Sequence, residues 1–243
     1  MNGPQRLIVT GGGSGIGRAV CELASETGAS VVALDLDVSG VESAVATGLL
    51  CDVTDESAVA RAVSRACELL GGAPDGVVCA AGVYVIDPAL EVTADRFIEV
   101  LRVNTVGSFL VAREAVRHMV SEGVHGSVVL LASMASKGGD LREPAVHYAA
   151  SKGAVVSMTR QLAVEWAEHG IRVNAVSPGV IRTPMLRLTD DPEATAAYLA
   201  HGVPLHRLGE AREVALGCLY LVGDGSPYVT GAILPVDGGA TVT

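Results

Sequence analysis

Aromatic residues are scarce in this chain, with Phe, Trp and Tyr together making up 3% of 243 residues. Since 49% of the residues are nonetheless hydrophobic, a core has to be assembled from closely packed Val, Ala, Leu and Ile. That suits a buried parallel sheet flanked by helices. Basic runs are missing too. With a formal net charge of −10 and nothing basic to offset it locally, a nucleic-acid or anionic-membrane surface is excluded, and an anionic ligand must be held by local geometry. The five cysteines (Cys21, Cys51, Cys67, Cys79, Cys218) form no CxxC pair and no metal spacing with the six histidines. Reduced, buried thiols in a cytoplasmic protein are expected, with no metal. No apolar stretch approaches the roughly 20 residues needed to cross a bilayer. The first apolar run, Leu7-Ile8-Val9, follows a polar stub without the charged and long apolar regions of a signal peptide. A soluble protein is expected.

Lysine is nearly absent: two residues, Lys137 and Lys152, stand against fifteen arginines. A lysine kept in such a chain hints at chemistry that a guanidinium cannot do, because an ammonium is compact and its pKa shifts readily on burial. Lys152 stands four residues after Tyr148 in HYAASKGA, a spacing that puts both side chains on one face of a helix.

What is present is an alternation of short β-branched runs with longer stretches of helical period. Strands are predicted near 6–10, 30–35, 48–51, 75–79, 126–132, 171–177 and 232–235, and helices near 15–27, 39–46, 55–70, 93–120, 147–169 and 210–222. The pattern is that of a parallel sheet with crossover helices, in one domain spanning 1–243. One segment breaks the rhythm. From Thr183 to Leu208 the chain holds three prolines and a short helical piece after Asp190-Asp191-Pro192. Following the carboxyl end of a strand, where ligands sit in such sheets, it is read as a substrate lid at about 183–208.

The first predicted strand runs into Thr10-Gly11-Gly12-Gly13-Ser14-Gly15-Ile16-Gly17, and then a helix begins. Glycines here allow a tight turn and close approach of backbone to ligand. The helix N-terminus supplies the local positive potential that a diphosphate needs on an acidic protein. Eighteen residues past Gly17, at the end of the second strand, stands Asp35. Its carboxylate can accept from both adenosine ribose hydroxyls and would face the 2′-phosphate of NADP as a like charge. At ~4 Å and an effective dielectric near ~20, such a pair costs on the order of 4 kcal/mol. No arginine or lysine replaces Ser14 or Leu36 to receive that phosphate, so NAD is the expected cofactor.

The motifs TGGGSGIG, CDVT, CAAG, VNTVGSF, LLASMAS, YAASK and SPGVIRT occur in this order across nearly the whole chain. Together they resemble the short-chain dehydrogenase/reductase family, in its single-domain branch. The resemblance implies a Rossmann-like, doubly wound α/β fold: a seven-stranded parallel sheet with helices on both faces. It makes Tyr148 the general acid/base and gives Lys152 the tasks of tuning it and holding the nicotinamide ribose. A free phenol has a pKa near ~10, so reaching ~7 takes roughly 4 kcal/mol of differential stabilisation. Ser133 matches the serine that hydrogen-bonds the substrate oxygen and stabilises its developing charge, and Asn104 the asparagine of a proton relay. Fourteen residues lie between Ser133 and Tyr148, more than is usual in the family. The alternative is Ser136, with eleven between, at a worse fit to the strand end.

The resemblance further assigns nucleotide contacts to Gly11, Ser14, Gly15, Ile16, Gly17, Asp52, Val53, Ala81, Gly82, Tyr148 and Lys152. Pro178, Gly179, Val180, Ile181 and Thr183 resemble the segment lying against the nicotinamide. CAAG stands where relatives carry NNAG, so the backbone hydrogen bonds of two asparagines must be replaced or lost, and Cys79 reads as a packed thiol. The implied activity is NAD-dependent interconversion of a secondary alcohol and a ketone, with a homotetramer as the working form. The apolar lid (Met185, Leu186, Leu188, Ala194, Ala196, Ala197, Leu199) points to a hydrophobic or cyclic small-molecule substrate, and Arg187 and His201 are candidates to read a carboxylate. The alternatives are an NADH-dependent reductase of a 3-oxoacyl or polyketide-like ketone and a non-catalytic dinucleotide-binding scaffold. The intact Ser133, Tyr148 and Lys152 set speaks against the scaffold.

Overall fold

Strict alternation along the strands explains how a core so poor in aromatics closes. In β1 (Arg6–Thr10), Ile8 faces one side of the sheet while Leu7 and Val9 face the other, and all three are fully buried. The computed structural model describes residues 3–139, 143–186 and 192–242. After β1 come α1 (Gly15–Glu26), β2 (Ser30–Asp35), β3 (Thr47–Leu50), α2 (Glu56–Leu70), β4 (Gly76–Cys79), α3 (Ala94–Leu101) and α4 (Ser108–Glu122). The chain continues through β5 (Ser127–Leu131), α5 (Val146–Glu165), β6 (Arg172–Pro178), β7 (Ile181–Arg182), α6 (Pro192–Gly202), β8 (Gly209–Glu210), α7 (Ala211–Val222) and β9 (Ile233–Val236).

Seven strands form one parallel sheet in the order β3-β2-β1-β4-β5-β6-β9. The chain winds outward from β1 to β3, returns to β4 beside β1, and winds outward again to β9. The carboxyl ends of β1 and β4 therefore flank the switch point, where such sheets bind ligands. On one face, α2, α4 and α5 cover Ile8, Val32, Leu34, Val77, Val128, Leu130 and Val173. On the other, α1 and α7 cover Leu7, Val9, Val31, Val78, Val129 and Val176. The doubly wound α/β expectation is met, with each strand in place to within one residue.

Two helices depart from expectation. No helix forms over 39–46. Isolated turns stand there instead, closed by Val45 N–H to Glu42 O at 2.8 Å and Ala46 N–H to the same oxygen at 3.0 Å. Eight residues are too few to sustain a helix without strong packing, and a Cβ at Gly40 would fall onto the carbonyl of Gly13. The long helix expected over 93–120 is divided into α3 and α4 by a π-helical turn, Arg102–Gly107. The extra residue of that turn swings Asn104 toward the loop after β4, and the Asn104 carbonyl, taken out of the regular ladder, accepts from Ser108 Oγ at 2.9 Å.

Candidate active site

The glycine turn is built on contacts that side chains would block. Gly11 has φ +69° and Gly15 φ +53°, both in the left-handed region. A Cβ on Gly11 would lie 2.8 Å from Ala81 N, and one on Gly17 would fall onto the Gly11 carbonyl. The turn is thus pinned between β4 and its own first residue, leaving the amino end of α1 facing outward. Ser14 caps α1 without a side-chain hydrogen bond, and Ile16 packs into the core face below. The Asp35 carboxylate lies across the turn. Its Oδ2 accepts from Gly13 N–H at 2.9 Å and its Oδ1 from Asp37 N–H at 3.2 Å. A carboxylate has about four acceptor positions, so two remain for ribose hydroxyls. Arg18, in the first turn of α1, is held by Glu22 at 2.9 Å and Glu42 at 3.3 Å on the exposed surface. These residues fit a nicotinamide dinucleotide, NAD(P).

The rest of the cradle lies close by. Asp52 Oδ1 accepts from the N–H and the hydroxyl of Thr54, each at 2.8 Å. Val53 is buried against Gly107 of the π turn. Where the asparagines of NNAG are missing, other groups hold the loop. Ala81 N–H donates to the buried Thr10 hydroxyl at 3.0 Å. Asn104 clamps Val83 from both sides, its Oδ1 accepting from Val83 N–H at 2.8 Å and its Nδ2 donating to Val83 O at 3.0 Å. Asn104 Oδ1 is also the nearest atom, at 3.1 Å, to a Cβ placed on Gly82. Cys79 is a packed thiol whose pKa burial pushes up to about 12.

Ser133, Tyr148 and Lys152 meet at the carboxyl end of β5. Ser133 caps the short turn Met134–Ser136 and its hydroxyl hydrogen-bonds Tyr148. Ser136 instead donates to Ser133 O at 2.7 Å, so of the two serines Ser133 is the one joined to the phenol. Lys152 is buried and donates to Leu131 O at 2.8 Å, with Nζ 5.7 Å from the centre of the Tyr148 ring. Burial lowers its pKa to about 8. The phenol of Tyr148 is shifted up: burial raises it, the Ser133 hydrogen bond pulls it down, and the Glu143 charge raises it again. With the protein's own groups alone, the phenolate expected from Lys152 is therefore not favoured. Asn104 joins this group indirectly, through Nδ2 to Ser151 Oγ at 3.0 Å, and Ser151 Oγ in turn donates to Tyr148 O at 2.7 Å.

The segment after β6 borders the same space. Gly179, following Pro178, donates from its N–H to Val236 O at 2.9 Å and packs against Asp237, where a Cβ would meet Cα at 2.7 Å. Val180 O accepts from Gly209 N–H at 3.0 Å and Ile181 is buried, so the two-residue pair β7–β8 closes the stem of segment 183–208. Thr183 sits beside Gly15, its Cβ 3.5 Å from where a Gly15 Cβ would stand. Within the segment, Met185 is 43% exposed while Tyr198 is buried. Ala196 and Ala197 face solvent, and His201 pairs with Ala197 O of its own helix at 2.9 Å. Arg187, Leu188 and the Asp190-Asp191 cap lie outside the described residues, as does the side chain of Ala194.

Four residues that the motifs do not indicate line the other flank of Tyr148. Tyr84 stands edge-on to the Tyr148 ring, with centroids 4.7 Å apart, and donates to Glu143 Oε2 at 2.6 Å. Among the described residues, the fully buried His147 has no hydrogen-bond partner on either ring nitrogen, although Nε2 lies 3.4 Å from Asp87 Oδ2. Asp87 also faces Arg96 at 3.3 Å. The only sequence signal for this flank is the unusual length of KGGDLREPAVH.

A family profile described as enoyl-(acyl carrier protein) reductase matches residues 11–241. Galactitol 2-dehydrogenase (L-tagatose-forming) of Cereibacter sphaeroides is 39% identical over 96% of this chain and 94% of its own. The 2,5-dichloro-2,5-cyclohexadiene-1,4-diol dehydrogenase of Sphingobium indicum is 37% identical over 97% and 96%. The (3R)-3-hydroxyacyl-CoA dehydrogenase of Canis lupus familiaris is 34% identical over 98% and 99%. A crystal structure of a short-chain type dehydrogenase/reductase from Mycobacterium marinum superposes with a TM-score of 0.93 at 33% identity, covering 98% of this chain and 96% of that one. With the glycine turn at the switch point and the Ser133, Tyr148 and Lys152 group beside it, the chain belongs to the short-chain dehydrogenase/reductase family and is a dehydrogenase acting on alcohols.

Proposed function

We propose that the protein oxidises a cyclic or otherwise apolar secondary alcohol to the ketone with NAD, and runs the reverse reduction when NADH and ketone are supplied. The observation that carries this reading is the convergence of Ser133, Tyr148 and Lys152 beside a glycine cradle crossed by Asp35. Ser133 orients the substrate oxygen, and Tyr148 takes the hydroxyl proton. Lys152, fixed by Leu131 O, holds the nicotinamide ribose, and Asn104 keeps the Val83 loop and Ser151 in place beneath them. Bound NAD would supply the hydride acceptor and a positive ring beside the phenol, the charge that the protein's own groups leave wanting.

NAD rather than NADP follows from Asp35 and from the two glutamates that occupy Arg18. The remaining contacts are assigned to Gly11, Ser14, Gly15, Ile16 and Gly17 for the diphosphate and to Asp52 and Val53 for adenine. Ala81 and Gly82 take the middle of the nucleotide, and Pro178 to Ile181 with Thr183 the nicotinamide end. The segment 183–208, hinged on the β7–β8 stem, acts as the lid. A homotetramer is the working form, in keeping with the apolar residues exposed on α3 to α5, among them Ile98, Val106, Val120 and Val164. Sedimentation as a monomer would reject it.

The test is the absorbance of reduced nicotinamide while NAD or NADP is offered with a panel of cyclic, acyclic and aromatic secondary alcohols. Reduction of NAD but not NADP is expected, by up to about three orders of magnitude in kcat/KM for one unscreened like-charge contact. Equal use of the two nucleotides contradicts the assignment of Asp35.

A further inference from the structure

The loop after β4 and the chain entering α5 run side by side. Asp87 N–H donates to Pro144 O at 3.0 Å, and an isolated parallel bridge joins Asp87 to Ala145. This pairing brings together two half-buried side chains 59 residues apart, Tyr84 and Glu143, linked by the 2.6 Å hydrogen bond from phenol to carboxylate. Because the Tyr84 ring packs edge-on against Tyr148 at 4.7 Å between centroids, the carboxylate is fixed beside the proton-exchanging phenol.

For Tyr148 alone, this neighbour is unfavourable. The charge of Glu143 opposes phenolate formation, and a glutamine would hold Tyr84 without that penalty. The chemistry of the pair shows what the charge offers. Tyr84 has one hydroxyl proton and gives it to Glu143, and a carboxylate accepts without donating. Toward a ligand the Glu143 carboxylate therefore presents acceptors only, and it is satisfied by a ligand that brings a donor.

We infer that Tyr84 and Glu143 form a hydroxyl-reading subsite, and that the substrate is an uncharged diol or polyol whose second hydroxyl, near the reacting carbinol, donates to Glu143. The inference rests on the alcohol-oxidising reading of the same site and narrows it. A hydroxy acid would set its carboxylate against Glu143, like charge against like. A hydroxyacyl thioester offers only a carbonyl acceptor near the carbinol, which the pair cannot satisfy. A simple monohydric alcohol leaves the carboxylate to water.

The experiment compares kcat/KM for vicinal cyclohexanediol, cyclohexanol and a hydroxybutyryl thioester in the wild type, Glu143→Gln and Tyr84→Phe. Binding of the same three compounds to the enzyme–NADH complex is measured in parallel. The wild type is expected to favour the diol over cyclohexanol by about ten-fold or more, the scale of one charge-assisted hydrogen bond, mainly through KM. Glu143→Gln should erase most of that ratio and move the acidic limb of the pH profile to lower pH, since the charge that opposes the Tyr148 phenolate is gone. Tyr84→Phe, which leaves the carboxylate untethered, should reduce the ratio less. A diol preference unchanged in Glu143→Gln, or cyclohexanol bound and used as well as the diol by the wild type, overturns the subsite. If none of the compounds is oxidised but the diol still binds in a Glu143-dependent way, the subsite stands and the alcohol-oxidising reading falls.

Discussion

The two sides of the Ser133, Tyr148 and Lys152 group are built from different materials. On the glycine side the chain is shaped by backbone: Gly11 against Ala81, Gly17 against the Gly11 carbonyl, and Gly13 N–H on Asp35. On the other side the walls are side chains from distant segments, Tyr84 on Glu143 and His147 near Asp87. Backbone contact with a common ligand leaves little freedom, since each position needs glycine or nothing. Side-chain walls can be exchanged one at a time without disturbing the sheet.

The contrast can be broken most sharply at Gly17. A Cβ there has nowhere to go but onto a backbone carbonyl, so Gly17→Ala should lose at least about 3 kcal/mol in urea unfolding, together with NADH binding. Tyr84→Phe on the opposite side, losing the partly exposed hydrogen bond to Glu143, should cost only about 1 kcal/mol. Equal costs would dissolve the distinction.

Lys152 sits at the seam, and its test is a slope. Its folded-state pKa of about 8 lies below the ordinary value of 10.5. Below pH 8 both folded and unfolded chains hold the proton, and the burial penalty acts in full. Between the two values the unfolded chain holds more protons, so this residue's contribution to stability rises with pH, and above 10.5 the penalty is gone. The stability of the wild type relative to Lys152→Met should therefore improve by roughly 3 kcal/mol across that interval. A flat difference between the two unfolding curves would show that the amine is not buried as described.

The smallest effect is expected on the side-chain wall. His147 is buried without a hydrogen bond from the described residues on either nitrogen, so His147→Leu, of similar volume, should leave the melting temperature unchanged or raise it slightly. A loss of several degrees would mean that the contact with Asp87 holds the entry to α5.

The same division governs what could be read in advance. The strands were legible because alternation and unbroken Val-Ile-Leu runs are local signals, and the glycine turn and Asp35 because their spacing along one βαβ unit carries their meaning. The pair Tyr148 and Lys152 is visible within one helical turn. What escaped was non-local or depended on an exception to regular geometry. The π turn at Arg102–Gly107 keeps helical composition throughout, so nothing in its residues separates it from the helices on either side. The helix expected at 39–46 has the right residues but gives way to the approach of Gly40 to Gly13. Tyr84 and Glu143 are unremarkable in their own segments and acquire a role only through a pairing across 59 residues. Even the two lysines differ only in context: Lys152 is buried on Leu131 O, while Lys137 reaches Thr241 at the surface, 3.4 Å away.

The most direct measurement is a single-turnover oxidation of a cyclic secondary alcohol by the NAD-loaded wild type and by Tyr148→Phe, with NADH binding measured on both. The account predicts NADH formation in the wild type and a loss of at least about a thousand-fold in the variant, the scale of a lost general base, with nucleotide affinity retained. Turnover that persists in Tyr148→Phe while the nucleotide remains bound would contradict it.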